Sequence, residues 1–375
     1  MALWFLLPLL LLASLYVWLI ESFRKAWETS PAWEPDPEFS PGTIVSIIVP
    51  VRTEGAHLRR CLDSLLNQDY PASLREIIVV DDYSEDDSAA IAASYAGHGV
   101  RLVRLEDIHP GASALSSKKR ALAAGIERAG GELLATFDGD SWAPPRWLSS
   151  MAGYYEQFKP ILMAGPVEFS GNESFLHRFQ RLDLYAMNGM AAAGIARGWF
   201  HLGNGANLFY TKEAFLGIGG FAGVDHLASG DDVFLMQKMA KAYPGRLAWV
   251  KSPEALVQTA PASGWKTLWL QRLRWGGKAS QYREWQLKAI AVIVLSFCLA
   301  IVLSLLICPL AFLIALALKS AADYRLLKSL ARFFRRESLL SVFWKAQLCH
   351  VLYIALSGTA SVFVKRYKWK GRKLR

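Results

Sequence analysis

Cysteine is scarce in this chain, with four in 375 residues. Cys298, Cys308 and Cys349 lie in or beside apolar segments and Cys61 in a segment of helical spacing. No disulfide framework is expected from that arrangement. Internal repeats and low-complexity tracts are also missing. No G-x-G-x-x-G follows the first predicted strand, where PVRTEGA stands instead (50–56); a dinucleotide-binding oxidoreductase therefore lacks its phosphate-binding turn. Finally, the apolar stretch at 3–20 has no basic region before it and no small-residue cleavage site after it. That weighs against a secretory signal, the rival reading, and favours an uncleaved anchor.

What is abundant is apolar length and positive charge. Hydrophobic residues make up 53% of the chain, against 20% charged, and the formal net charge is +10. The apolar excess sits at the ends, in 3–20, 289–318 and 339–364. The first run has about the length that crosses a bilayer. Much of the basic excess lies beside these runs, in RLLKSLARFFRR (325–336) and KRYKWKGRKLR (365–375). Anionic lipid headgroups and retention on the cytoplasmic side explain such clusters better than nucleic acid does. ESFRK, directly after the first run, orients the following domain to the cytoplasm by the same rule.

The run 289–318 is too long for one upright helix, and Cys308–Pro309 marks either a tight hairpin or a kink. Basic residues place both 325–336 and the tail in the cytoplasm. A single crossing by 339–364 conflicts with that, so a re-entrant segment and a true span with an outside tail both stay open. Asp323 and His350 receive no role.

Between the ends, short β-branched runs alternate with segments of helical spacing. After a Pro- and Glu-rich linker (28–42) come VSIIVPV (45–51), HLRRCLDSLLNQ (57–68), EIIVVDD (76–82), DSAAIAASYAG (87–97), VRLVRL (100–105), SSKKRALAAGIERA (116–129) and GELLATFDGD (131–140). Three strand–helix alternations predict an open parallel sheet with helices on both faces. Ligands bind beyond the carboxyl ends of such strands, where Thr53–Glu54, Asp81–Asp82 and Asp138–Asp140 fall. Further on, 161–169 is expected as a strand, 175–195 as a helix, and 200–221 as a Gly-rich stretch with a strand-like centre and a short helix.

Several short motifs carry chemistry. In FDGD, two carboxylates flank Gly139 at a spacing that lets both reach one hard cation. Asp81, closing a strand, can accept hydrogen bonds from a base or ribose, although DDYSEDDS also has the composition of a turn and helix cap. SGDDVFL opens a helix with Asp231 and Asp232. In QRLRW, Gln271, Arg274 and Trp275 share neighbouring faces of a helix with the composition of a membrane-surface segment.

Taken in order, VVDDYS, FDGD, SGDD and QRLRW resemble the D, DxD, D, QxxRW signature of family 2 glycosyltransferases, in the version found in membrane-embedded cellulose, hyaluronan and poly-N-acetylglucosamine synthases. The resemblance covers about residues 43–280. It implies the GT-A fold, a mixed, mainly parallel α/β sheet with flanking helices, here with N- and C-terminal transmembrane helices. It also implies inverting transfer of a sugar from a nucleotide-diphospho-sugar, most readily a UDP-sugar, to a lipid or polysaccharide acceptor. By resemblance Asp232 is the general base. Pro50, Glu54, Asp81, Lys118 and Asp138 belong to the donor site, with Lys119 a rival to Lys118. Asp140 and Asp138 hold Mg2+ or Mn2+. HLGNGANLFY resembles the acceptor loop, so Gly203 and Gly205, with Asp231, Gln271, Arg274 and Trp275, line the acceptor and diphosphate side. His201 is expected to be a loop histidine. The expected domains are an anchor (1–22), a linker (23–42), the GT-A domain (43–264), an interfacial helix (265–287) and a C-terminal membrane region with a basic tail (288–375). A catalytically inactive membrane adaptor that retains the fold is the alternative.

Overall fold

A computed structural model of the chain describes residues 2–36, 38–111, 117–225, 230–278, 281–363, 367–369 and 372–374. Helix α1 (Ala2–Thr29) passes the boundary expected at residue 22, because ESFRKAWET continues the helix without a break. The sheet begins with β1 (Val45–Val51), followed by α2 (Gly55–Leu66), β2 (Arg75–Asp81), α3 (Ser88–Ser94), β3 (Val100–Arg104), α4 (Leu105–Ile108), α5 (Lys118–Arg128) and β4 (Leu133–Thr136). Leu58, Cys61, Leu62 and Leu65 recur at helical spacing and form the buried face of α2.

Next come β5 (Ser141–Trp142), α6 (Trp147–Phe158), β6 (Leu162–Ala164), β7 (Val167–Phe169), α7 (Phe175–Arg197), β8 (Leu208–Thr211), α8 (Lys212–Gly217), α9 (Asp231–Ala242), β9 (Leu247–Trp249) and β10 (Val257–Thr259). The main sheet has the order β3-β2-β1-β4-β8-β6-β9. Neighbours run parallel except on either side of β8, which is antiparallel to β4 and β6. This is the mixed, mainly parallel sheet that the resemblance implies; the alternation predicts an open parallel sheet and leaves out the antiparallel β8. The strand expected over 161–169 is broken at Gly165–Pro166, and its second half, β7, joins β10 and β5 in a separate small sheet.

The rest is helical: α10 (Trp265–Gly276), α11 (Trp285–Ile307), α12 (Pro309–Phe333) and α13 (Phe343–Phe363), then a short antiparallel pair, β11 (Tyr367–Trp369) and β12 (Arg372–Leu374). The helix expected over 265–287 stops at Gly276, the first of the consecutive glycines Gly276 and Gly277. The apolar run 289–318 divides at Cys308, and Pro309 opens α12 at a position where a missing N–H does no harm. The basic segment after it continues α12 rather than starting a separate helix. Among the described residues, three segments are long and apolar enough to cross a membrane: Leu6–Thr29, Trp285–Ile307 and Glu337–Phe363.

One apolar cluster joins α1, α7, α11, α12 and α13, with Phe23, Trp27, Phe297 and Leu330 at its centre. A second fills the space between the sheet and α2 and α6, around Trp147 and Phe209. α1 is fastened to the sheet-bearing half at its C-terminal end. There the buried Lys251 donates to the carbonyls of Trp27 at 2.7 Å and Ser30 at 2.9 Å, satisfying acceptors that a helix end leaves open.

Candidate active site

Parallel pairing sets Val51 beside Asp81 and Ile48 beside Thr136, so β1, β2 and β4 release their loops at one edge of the sheet. A cavity of about 260 Å³ lies beyond that edge. Pro50, Glu54, Lys118, Asp138 and Asp140 line it together with Gly203, Gly205, Asp231, Asp232, Gln271, Arg274 and Trp275. The sequence-expected residues thus converge, with one exception.

The exception is Asp81. The cavity is lined by Asp82, while Asp81 is buried and its Oδ1 accepts from the backbone N–H of Ser84 at 3.4 Å. Side chains alternate along a strand, so the last residue of β2 and the next one point to opposite sides. Burial raises the Asp81 carboxyl above its ordinary value, partly offset by Ser84 and Arg104. The acidic loop that follows braces its neighbour. The N–H groups of Thr53, Glu54 and Gly55 donate to Ser84 Oγ, Ser88 Oγ and Asp86 Oδ2 at 3.0, 2.8 and 2.9 Å. This holds the loop between β1 and α2, where Thr53 has a φ of 53°, a rare conformation for a β-branched residue. Arg52 adds a second brace by donating to the carbonyl of Asp82 at 2.7 Å.

Between the two lysines of SSKK, the geometry selects Lys118. Its Nζ lies 2.5 Å from Asp138 Oδ1 and 3.2 Å from Asp231 Oδ2. Burial opposes its charge, but the two carboxylates prevail and hold its pKa above the ordinary lysine value. Asp231 answers in kind: burial would raise it, yet Lys118 and Lys278 bring it below the usual carboxylate range. Lys119 turns away. Its Nζ donates to the carbonyl of Val224 at 2.9 Å, and burial pushes its pKa down to about 8.

Asp232 sits in the first turn of α9, after Gly230 at a φ of 80°. Its Oδ2 accepts the Gly205 N–H at 3.3 Å and its Oδ1 the Val233 N–H at 2.8 Å, so backbone donors fix the carboxylate's orientation. A Cβ on Gly205 would lie 3.1 Å from Lys118 Nζ and 3.3 Å from Asp231 Oδ2, which explains the side-chain-free position there. His201 is a loop histidine as expected. Its Nδ1 lies 2.6 Å from Glu284 Oε1 and its N–H donates to Glu284 Oε2, tying the loop to the start of α11.

Lys278 and Tyr282 also line the cavity, and the motif reading does not include them. Lys278 follows QRLRW by three residues, and that proximity was the available signal. Burial lowers its pKa, with Asp232 pulling the other way. Asp138 and Asp140 offer two oxygen-bearing side chains inside the cavity, and the Asp140 carboxylate also lies 3.3 Å from Thr259 Oγ1. Among the described residues no group of three or more His, Cys, Asp or Glu forms a metal site. A pair of carboxylates suits a hard cation that takes its remaining oxygens from a diphosphate and water.

The family described as Glycosyl transferase family 2 matches residues 46–223. Glycosyltransferase AglE of Haloferax volcanii is 29% identical over 199 residues, which cover 53% of this chain and 62% of that protein. Probable glycosyltransferase YdaM of Bacillus subtilis is 25% identical over 267 residues, 67% of this chain and 58% of that one. The chain therefore spans about three-fifths of the length of these two curated relatives. Among solved structures, the mannosyltransferase PcManGT from Pyrobaculum calidifontis, in complex with GDP-Man and Mn2+, superposes with a TM-score of 0.58 at 22% identity. The superposition covers 96% of this chain and 97% of that one, so the likeness in fold includes the terminal helices. Residues 46–223 are thus similar to a family 2 glycosyltransferase domain, and the chain shares the overall fold of the mannosyltransferase.

Proposed function

We propose that this family 2 domain, held at the cytoplasmic face of a membrane, transfers a sugar from a nucleotide diphosphate to an acceptor carried on a membrane lipid, with inversion. The observation that carries this reading is the double character of the cavity. Its sheet-edge side holds Asp82, Asp138, Asp140 and Lys118, groups suited to a nucleoside diphosphate. On its other side, Ala191, Leu202 and Val233 belong to the same apolar cluster as α1, α11 and α12. A lipid-borne hydroxyl fits that wall better than a soluble glycan.

Asp232 takes the proton of the acceptor hydroxyl as its oxygen attacks the anomeric carbon opposite the nucleotide. One carbon–oxygen bond forms, the bond to the diphosphate breaks, and inversion follows from the single displacement. Positioning carries most of the rate, since backbone N–H groups orient the carboxylate before the acceptor arrives. Lys118 and Arg274 face the charge that develops on the leaving group, and Trp275 offers a ring face for sugar stacking. Asp138 and Asp140 would hold Mg2+ or Mn2+, which when bound supplies neutralisation of the departing diphosphate. PcManGT holds GDP-Man and Mn2+ in the same overall fold, so GDP-sugars join UDP-sugars as donors to test.

The test uses membranes containing the full chain, Mn2+ and each radiolabelled UDP- and GDP-sugar in turn. Label should enter a chloroform–methanol extract with one donor. Asp232→Asn should lower that transfer by about 10²- to 10⁴-fold while nucleotide binding persists. Label in aqueous or insoluble polymer would replace the lipid acceptor with a glycan. Absence of nucleotide release with every donor would favour an adaptor that keeps the fold.

A further inference from the structure

Behind QRLRW lies a chain of buried polar groups that the reaction scheme does not use. Arg272, the motif's second residue, is 7% exposed and does not line the cavity. Its guanidinium lies 4.0 Å from the ring centroid of Trp275, which does. One guanidinium nitrogen pairs with Asp183 Oδ2 from α7. The other oxygen of Asp183 faces His350 Nε2 of α13 at 3.8 Å.

The chain continues into the helix bundle. His350 Nδ1 is 3.3 Å from Lys319 Nζ of α12, and that fully buried ammonium lies 2.5 Å from Asp323 Oδ2. Gln347 Nε2 donates to the same oxygen at 2.8 Å, and the Tyr16 hydroxyl of α1 donates to Asp323 Oδ1 at 2.7 Å. Ionised groups among apolar helices persist only when paired, and each pair here joins different elements or successive turns of α12.

We infer that Asp183, backed by His350 and the Lys319–Asp323 pair, is a positioning residue that sets Trp275 against the acceptor through Arg272. The inference rests on the glycosyl-transfer reading above. Removing the Asp183 charge leaves Arg272 buried without a carboxylate, so the guanidinium shifts and Trp275 loses its support. The chain runs through α10, α7, α13, α12 and α1, whereas Asp82, Asp138 and Asp140 follow β2 and β4 at the sheet edge and Lys118 opens α5. Donor binding and acceptor use should therefore separate.

The experiment compares wild type, Asp183→Asn, Asp183→Glu, His350→Gln, Lys319→Met and the Asp183→Asn/Lys319→Met double variant, all full-length in nanodiscs of native lipid. Readouts are the Kd of UDP and of GDP, label transfer to lipid, and its dependence on added lipid extract. Asp183→Asn should lower transfer by roughly 10- to 100-fold, the scale of a 1 Å misplacement, and raise the lipid concentration needed for half-maximal rate. Nucleotide Kd should stay unchanged, Asp183→Glu should recover part of the loss, and the double variant should fall short of the product of its singles. Unchanged transfer in Asp183→Asn overturns the inference. So does equal loss of nucleotide binding and transfer, which would mark a general structural role. Should Asp183→Asn fail to fold, His350→Gln keeps Arg272 paired; normal transfer there overturns the relay. An inactive wild type instead overturns the glycosyl-transfer reading itself.

Discussion

Asp81 and Asp82 differ by one position and meet opposite surroundings. Asp82 faces the cavity, whereas Asp81 is turned under the loop with Ser84. Asp82→Asn should weaken binding of the preferred nucleotide, and Asp81→Asn should leave it nearly unchanged; isothermal titration of both variants decides. Stability gives an independent check. Burial raises the Asp81 pKa above its ordinary value of 3.8. As pH climbs from there through the raised folded value, the unfolded chain has already released its proton while the folded chain keeps it. Stability falls across that window, and the loss persists above it. Thermal unfolding of Asp81→Asn in detergent should lack this component, making the variant as stable as wild type or more so near pH 7. The sequence showed that an aspartate closes β2 but not which way it points, because the doublet hides the phase of side-chain alternation. Lys118 and Lys119 illustrate the same gap: composition puts two cations at a helix start, and the tertiary contacts that give Lys118 to Asp138 and Asp231 and Lys119 to the carbonyl of Val224 separate them.

At the level of elements, the loop 201–205 allows a sharper test. Gly203 and Gly205 both line the cavity, yet an added Cβ meets different neighbours. On Gly205 it approaches Lys118 Nζ and Asp231 Oδ2; on Gly203 it lies 2.7 Å from Met236 Sδ. Gly205→Ala should therefore push the charged pair and weaken nucleotide binding, by roughly 1–3 kcal/mol on the scale of overpacking. Gly203→Ala should instead lower the unfolding temperature, with binding little affected once folded. Titration and melting of both variants separate the two outcomes. The alternating half of the fold was legible because β1, β2 and β4 are continuous buried runs bounded by helices of regular spacing. The small sheet was not, because β5 has two residues and finds β10 more than a hundred positions away. Partners that distant leave no local pattern. Asp183 of α7, the partner of Arg272, and His350 of α13 behind it are hidden for the same reason.

For the whole molecule, the charge-and-parity conflict in the C-terminal region turns on α13. Its 21 residues make a helix of about 31 Å, enough to cross a bilayer. Near its start, Arg178 of α7 donates to the carbonyl of Ser338 and to Ser341 Oγ. Near its end, a Cβ on Gly276 of α10 would come within 2.9 Å of Ser361, and β11 lies against α10 beyond it. α7 and α10 both wall the cavity, so the two ends of α13 meet the same domain. A helix anchored in that way runs along its domain, with an apolar stripe of Trp344, Leu348, Leu352 and Leu356 turned outward at the four-residue period of one helix face. We propose that α1 crosses the membrane, that α11 turns back through the apolar first half of α12, which by itself is not among the segments long and apolar enough to cross, and that the basic tail stays on the side of the sheet-bearing domain, in line with the positive-inside rule. A protease-sensitive tag after Arg375 tests this in sealed vesicles of both orientations. Cleavage should occur in the vesicles that turn over externally added nucleotide-sugar, and protection in the others. The reverse pattern would make α13 a true crossing, and its contacts with α7 and α10 would have to rearrange on insertion.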